Sequence, residues 1–523
     1  MSIEDEVPTS AQVVVVGAGS AGCVLARRLA EADVEVLLLE AGGRDESPAI
    51  HDPTRSFEPL GSPDDWGYET VEQTHCGGRR IAHPRGKVLG GTSCLNGMIF
   101  VRGHRSDFDT WAYLGNAGWG YEDVLPLFKR LEDYDGGADE YRATGGPLHV
   151  HSRYEPHPLV GGLLAAAEQA GVSPNPDYNA ERMEGVMPIQ FSIKDGERHN
   201  AWRAFAEPIA ERSNLRVLTR VRVTRLMFDG DRCTGAELVR DGEVHRVRAE
   251  HEVVVCAGAY DTPKLLLLSG IGQGDELRRH GIETKLELRG VGEHLQDHVF
   301  SPLVYEAARP IPPAEPGIMQ FHGMMFWHSR SGLPGPDLQS LLGHLPHTPW
   351  AYSEPLEGYT LTSMLTRPAS RGTVRLASAD PSAPPLIDPA YASCGIDVDA
   401  IVSGFELLRE IGAQSELEPW RGRELFPGPG VRTPASLREY VRRSYSTIYH
   451  PTSSCRMGVD EDAVVDPQLR VYGIDGLRVA DASVMPLITS GNTNAPTMMI
   501  AERAADEILA TLSGKSALTA AAA

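Results

Sequence analysis

The sequence predicts an α/β chain: a Rossmann-type dinucleotide-binding domain, followed by an α+β region built on antiparallel sheet. Three observations predict this. First, Val13-Val14-Val15-Val16 runs into Gly17-Ala18-Gly19-Ser20-Ala21-Gly22, then a helical stretch, then Val34-Glu35-Val36-Leu37-Leu38-Leu39-Glu40. Second, the residues from Asn214 to Val255 alternate in polarity and carry Asp229-Gly230 and Asp241-Gly242, the dipeptides of tight hairpins. Third, Tyr359 to Leu365 alternates again, after a stretch rich in proline and aromatics.

The first stretch is read residue by residue. Four successive β-branched residues suit a strand buried on both faces. Gly17, Gly19 and Gly22 form G-x-G-x-x-G: a sharp turn, a close approach to pyrophosphate, and tight helix–strand packing. The helix predicted over Ala21–Ala32 points its free N–H groups at those phosphates, which places Ser20 and Ala21 beside them. Glu40 ends the second strand, where a carboxylate accepts hydrogen bonds from both ribose hydroxyls and repels a 2′-phosphate. FAD or NAD fits; NADP does not.

Ala41-Gly42-Gly43 then leaves the strand as a tight loop, and residues 44–83 read as irregular surface chain. Trp66 and Tyr68 in it are candidates to cover an adenine. Pro84 to Gly97 is a second small-residue segment, with Arg85 and Lys87 ahead of Gly90-Gly91-Thr92, suited to lie against a flat ligand. Helices are predicted after Tyr121 and over Leu159–Ala170, a strand at Val253–Val255, a short helix at Leu265–Leu268, and a last helix over Met498–Leu512. Thr519–Ala523 reads as a frayed end.

The 523 residues suggest two large domains. A net charge of −22 disfavours nucleic acid and anionic membranes as partners. No run approaches the ~18 apolar residues of a membrane span, and Met1-Ser2-Ile3-Glu4-Asp5-Glu6 lacks the basic start of a secretory signal. The seven cysteines are scattered without a C-x-x-C pair, which points to neither structural zinc nor a disulfide framework. A cytoplasmic protein with no metal is the expectation.

Five ordered motifs then resemble the glucose–methanol–choline (GMC) flavoproteins: Pro84–Gly103, Gly258–Gly272, Val291–His298, Tyr449–Gly458 and Asn492–Thr497. The resemblance implies FAD in a discontinuous domain (1–155, 200–300 and 440–523), with a substrate domain of antiparallel sheet (156–199 and 301–439) over the flavin. It implies Gly17, Gly19, Ser20, Glu40 and Ala41 along the ADP half, and Val223 at the adenine. Arg85, Gly91, Thr92, Asn96 and Gly97, with Gly90 beside them, would follow the pyrophosphate and flavin. Asp481, Ala482, Asn492 and Thr493 would hold the ribityl chain and ring.

The activity implied is oxidation of a primary alcohol by hydride transfer to flavin N5, with O2 or another electron acceptor closing the cycle. His450 matches the family's active-site histidine, and Asn494 is aligned with its second polar position. Members that attach FAD covalently do so through a histidine where this chain has Leu95, so non-covalent FAD is expected. Choline-oxidising members carry a carboxylate where this chain has Phe300, so an apolar or aromatic alcohol is expected, with Phe321, Met324, Met325 and Trp327 as further candidates for its pocket. The alternative is a GMC-fold lyase or photodecarboxylase, whose flavin is not reduced by an alcohol.

Overall fold

The computed structural model describes residues 6–349 and 356–514. The first five residues of the N-terminal reading and the frayed end expected at 519–523 lie outside them. In chain order the chain forms β1 (Ser10–Val16), α1 (Ser20–Glu31) and β2 (Val36–Leu39), then β3 (Gly185–Pro188) and β4 (Leu215–Leu218). A meander of β5 (Arg222–Asp229), β6 (Arg232–Arg240) and β7 (Glu243–Val255) leads into α2 (Gly258–Leu268). Next come β8 (Val299–Ala307), β9 (Phe321–Trp327), β10 (Leu338–Gly343) and β11 (Gly358–Leu365). After α3 (Gly395–Ala413), β12 (Arg421–Phe426) and β13 (Ser446–Thr447), the chain returns through β14 (Leu477–Val479) to α4 (Asn494–Leu512).

The valines of β1 have no solvated face, so β1 lies in the middle of a seven-stranded sheet of order β4-β2-β1-β7-β6-β5, with β14 also on β7. β2 and the end of β7 flank β1 in parallel register, pairing Val14 with Leu37 and with Val253. Both predicted hairpins form: β5, β6 and β7 pair antiparallel through Asp229-Gly230 and Asp241-Gly242. The glycines carry the geometry assigned to them. Gly17 has φ +101°, and a Cβ there would lie 2.5 Å from the Cys256 carbonyl oxygen. A Cβ on Gly22 would lie 1.9 Å from the Gly17 oxygen, so α1 could not close onto the turn.

The second sheet is antiparallel throughout, in the order β12-β8-β11-β10-β9-β3, with β13 on β8. α3 packs behind it; Ile401, Phe405, Leu408 and Ile411 bury against Leu361, Leu365 and Tyr359. The other face of this sheet looks toward the end of β1.

Two helices differ from expectation. α2 starts directly after β7 and spans eleven residues, not four. Asp481 explains its start: its carboxylate accepts from the Gly258 N–H (2.8 Å) and the Thr262 hydroxyl (2.6 Å). α4 begins at Asn494, with Pro496 in its first turn, where a missing N–H costs no helical hydrogen bond.

Candidate active site

A cavity of about 500 Å³ runs from the end of β1 to the segment after β13, within the ~300–1,000 Å³ usual for ligand sites. At one end α1 presents first-turn N–H groups with no side-chain cap, across from Gly91. A Cβ on Gly91, whose φ is +54°, would lie 2.6 Å from the Gly19 Cα, so the two loops approach this closely only with glycine at 91. Glu40 accepts from the Ala18 N–H (3.0 Å) and the Gly42 N–H (2.8 Å), and burial pushes its carboxyl up to about 7. Trp66 lies at the same end, stacked on Tyr68 and flanked by Lys87 and Arg222 at 5.1 and 5.5 Å from its ring centre. Two cations over an indole gain by cation–π attraction and hold the ring as a wall.

Gly17, Gly19, Ser20, Ala21, Glu40, Ala41, Trp66, Arg85, Gly91, Thr92, Asn96, Gly97, Val223, Asp481, Ala482, Asn492 and Thr493 all line this cavity. Gly90 does not. Its N–H donates to the Ala18 carbonyl (2.8 Å), so it braces the loop from behind. The Asp481 carboxylate is taken up by α2 and by the Ser483 N–H (2.8 Å). The length of the cavity, the bare N–H groups of α1, the ribose-accepting position of Glu40 and the glycine cradle together fit FAD.

The far end holds His450. Its backbone N–H donates to Asp297 (2.8 Å), which also accepts from the Thr447 hydroxyl (2.5 Å) and from Tyr391. These bonds pin the turn through Tyr449, a non-glycine residue with φ +67°. Burial pushes the Asp297 carboxyl up to about 6. Arg85, whose guanidinium donates to the Tyr449 carbonyl (2.6 Å), ties the same turn to the first glycine-rich segment.

The imidazole of His450 makes two contacts. Nδ1 lies 2.9 Å from Nδ1 of His298, and Nε2 lies 3.3 Å from the Asn492 amide nitrogen. Asn494, expected as the partner, lines the same cavity but bonds elsewhere. Its Oδ1 accepts from the Ser20 hydroxyl at 2.6 Å and links the starts of α4 and α1. The reason is local: Asn494 is the first residue of α4, while Asn492 lies outside the helix, two residues before it. Burial, then His298 and Arg85, hold His450 well below the ordinary histidine range, so it is neutral at pH 7.

The rest of this end is apolar or neutral: Leu95, Phe300, Met319, Phe321, Leu341 and Met364, with Thr362 and His347. The His347 ring lies 5.2 Å from that of Phe300, and burial pushes its pKa down. Of the charged residues lining the cavity, Arg85 lies at this end on the Tyr449 carbonyl, while Glu40, Arg222, Asp261, Lys264 and Asp481 line it too, and none of these is among the apolar wall residues. Met324, Met325 and Trp327 are not in the cavity. Met324 and Met325 are fully buried in the packing around β9, and Trp327 packs against the core behind the sheet. Sequence reasoning missed His347 and gave no role to Asp297, His298 or Gln339. The Asp-His pair was visible inside a family motif, but nothing in its spacing showed that it reaches His450.

GMC oxidoreductase family models match residues 11–300 and 368–501. A protein of Rhizobium johnstonii called oxygen-dependent choline dehydrogenase is 38% identical over 95% of both chains. A protein of the same name from Brucella ovis is 37% identical over the same shares. Among solved structures, pyridoxine 4-oxidase from Mesorbium loti superposes with a TM-score of 0.91 at 35% identity, covering 95% of this chain and 99% of that one. A formate oxidase variant from Aspergillus oryzae RIB40 gives 0.90 at 26% identity, with 97% and 100% covered. Among the described residues no helix is long and apolar enough to cross a membrane.

Proposed function

The chain belongs to the GMC oxidoreductase family, an FAD-dependent enzyme acting on CH–OH groups, and on that premise we propose that it oxidises an uncharged primary alcohol, apolar or aromatic, to the aldehyde. The observation that carries this reading is the apolar wall of Phe300, Phe321, Met319 and Met364, which meets a neutral His347 and offers no carboxylate, the one lining charge beside His450 being the cation of Arg85. A cationic alcohol such as choline would lose its hydration there with no carboxylate to replace it. An aromatic face alone attracts a cation by only ~0.5–2 kcal/mol. The relatives named for choline therefore support the chemistry at the carbinol carbon and not this chain's choice of substrate.

FAD, when bound, supplies the acceptor for the hydride that leaves the carbinol carbon. The chain's own residues do the rest. His450 takes the hydroxyl proton on Nε2. The Asn492 amide donates to the same oxygen and holds it as its negative charge grows. Asp297 and Thr447 keep the imidazole aimed by fixing the turn that carries it. The apolar walls exclude water from the reacting oxygen.

Leu95 lines the cavity where a covalent attachment would need a nucleophile, which supports non-covalent FAD. Residues 1–155, 200–300 and 440–523 are assigned to the FAD-binding domain, supported by the mostly parallel sheet that draws its strands from all three. The names of the relatives support O2 as the electron acceptor. A net charge of −22 supports neither nucleic acid nor an anionic membrane as partner, and seven free thiols support a cytoplasmic setting.

The test is an alcohol screen on purified holoenzyme. Flavin absorbance is followed without oxygen, and peroxide with oxygen. Bleaching by benzyl-type and aliphatic primary alcohols, with choline far weaker, is the expected result. A flavin that stays oxidised with every alcohol, in an enzyme that cleaves cyanohydrins or carboxylic acids, would overturn the reading in favour of a lyase or decarboxylase.

A further inference from the structure

We infer that the proton positions of the reacting pair are dictated from outside the cavity by the backbone carbonyl of Thr366, acting through His298 as a positioning residue. The reading of His450 and Asn492 above is its premise. Five groups form one chain of contacts: Thr366 O to His298 Nε2 (3.0 Å), His298 Nδ1 to His450 Nδ1 (2.9 Å), His450 Nε2 to Asn492 Nδ2 (3.3 Å), and Asn492 Oδ1 to Gln339 Nε2 (3.2 Å).

A carbonyl can only accept, so His298 must carry its proton on Nε2. Burial pushes His298 down to about 3, so it is neutral and its Nδ1 is a bare lone pair. The nitrogen facing that lone pair at 2.9 Å must then be the donor, so His450 is protonated on Nδ1. A neutral His450 is left with a lone pair on Nε2, inside the cavity. That lone pair needs a donor, which turns the amide of Asn492 nitrogen-first toward it and oxygen-first toward Gln339. Gln339, fully buried, must present its own nitrogen to that oxygen, and the same nitrogen contacts the Met324 sulfur at 2.9 Å. Each assignment follows from the one before, starting from the His298 proton on Nε2 toward the Thr366 carbonyl, with the Thr489 carbonyl also acting on the His298 ring.

The reverse arrangement would put Nε2–H of His450 and the carbonyl oxygen of Asn492 toward the substrate. That site would have no base for a hydroxyl proton and no donor for the oxygen. Thr366 follows β11 and His298 precedes β8, and these strands pair antiparallel with Leu365 opposite Val299, so their register sets the protonation of a residue about 150 positions further along the chain. When the alcohol reacts, its O–H bond breaks and an N–H bond forms at Nε2. FAD, when bound, would supply the acceptor for the electron pair and hydrogen of the broken C–H bond. His450 keeps its Nδ1–H bond to His298 throughout.

The experiment uses holoenzyme labelled with 15N-histidine, with the His450 signals assigned by their absence in His450→Ala. The wild type at pH 7 should show His450 with an unprotonated Nε2 and a protonated Nδ1. His298→Gln offers an oxygen to His450 and an amide N–H2 to Thr366, and should keep that signature with kcat within about 5-fold. His298→Leu offers neither; the signature should shift toward Nε2–H, with kcat down on the order of 10²-fold and KM little changed. A protonated Nε2 in the wild type overturns the inference, even if His298→Leu fails to load FAD. So does a His298→Leu enzyme with wild-type signature and rate. If Nε2 is bare but no alcohol is turned over, the proton arrangement stands and the proposed function falls.

Discussion

Replacing Asn492 and Asn494 singly with alanine separates the two roles that the structure gives them. The Asn492 amide lies 3.3 Å from His450 Nε2, where an alcohol oxygen would share it. Removing one donor from an oxygen that gains charge costs ~10²–10³ in rate, or ~2.7–4 kcal/mol. The 3.3 Å contact is long, which favours the lower figure, about 10²-fold. The substitution also strands the buried Gln339 amide, a stability cost of ~1–3 kcal/mol. Asn494 instead bonds Ser20 at 2.6 Å. Its loss removes one neutral hydrogen bond, worth ~0.5–1.5 kcal/mol, and should loosen FAD while leaving the reduction rate within about 3-fold. The assay is anaerobic stopped-flow reduction of the flavin at saturating alcohol, with FAD content measured on the same samples. An Asn494→Ala enzyme with full FAD that reduces ten times more slowly than Asn492→Ala would refute the reasoning.

Three further outcomes follow from the same geometry. Acid precipitation should leave yellow flavin in the supernatant, because Leu95 cannot bond to it; a coloured pellet contradicts this. Phe300→Glu places a carboxylate in the apolar wall, and kcat/KM for choline should rise at least ~10-fold while that for benzyl alcohol falls, since a buried ion pair replaces apolar packing. The apoprotein should lose stability in acid. His83, His298 and His344 are pushed down to about 3 by burial, so between that value and about 6.5 the unfolded chain binds more protons, and stability falls as pH falls by ~1.4 kcal/mol per unit for each. Asp297 and Glu40, raised to about 6 and about 7, act in the opposite sense, losing stability as pH rises through those values. Urea melts at pH 7 and pH 5 should show the histidines prevailing, and equal midpoints would contradict it.

The parts of the fold visible in the sequence are those whose cause is local. β1, α1 and β2 follow from four valines, three glycines and a terminal glutamate within one stretch, and the β5–β7 meander from two Asp-Gly turns. α2 was foreshortened because Gly258, Thr262 and Pro263 look like loop until Asp481, more than two hundred residues away, caps them. The site divides the same way. The cofactor positions lie in glycine-rich loops whose composition marks them. The reacting pair depends on which of two asparagines around Thr493 faces His450, and that is decided by where α4 begins. His298 is one of eighteen histidines, and only strand pairing brings it to His450. Met324, Met325 and Trp327 share the composition of a pocket wall, but the β9 packing turns them away from it.

The most direct measurement is anaerobic flavin reduction by one uncharged primary alcohol taken from the screen, in wild-type enzyme and in His450→Ala with equal FAD content. A loss on the order of 10²–10⁴-fold in the reduction rate, the range for a removed proton acceptor, is the predicted result. Reduction of the variant at the wild-type rate would mean that the imidazole does not take the hydroxyl proton.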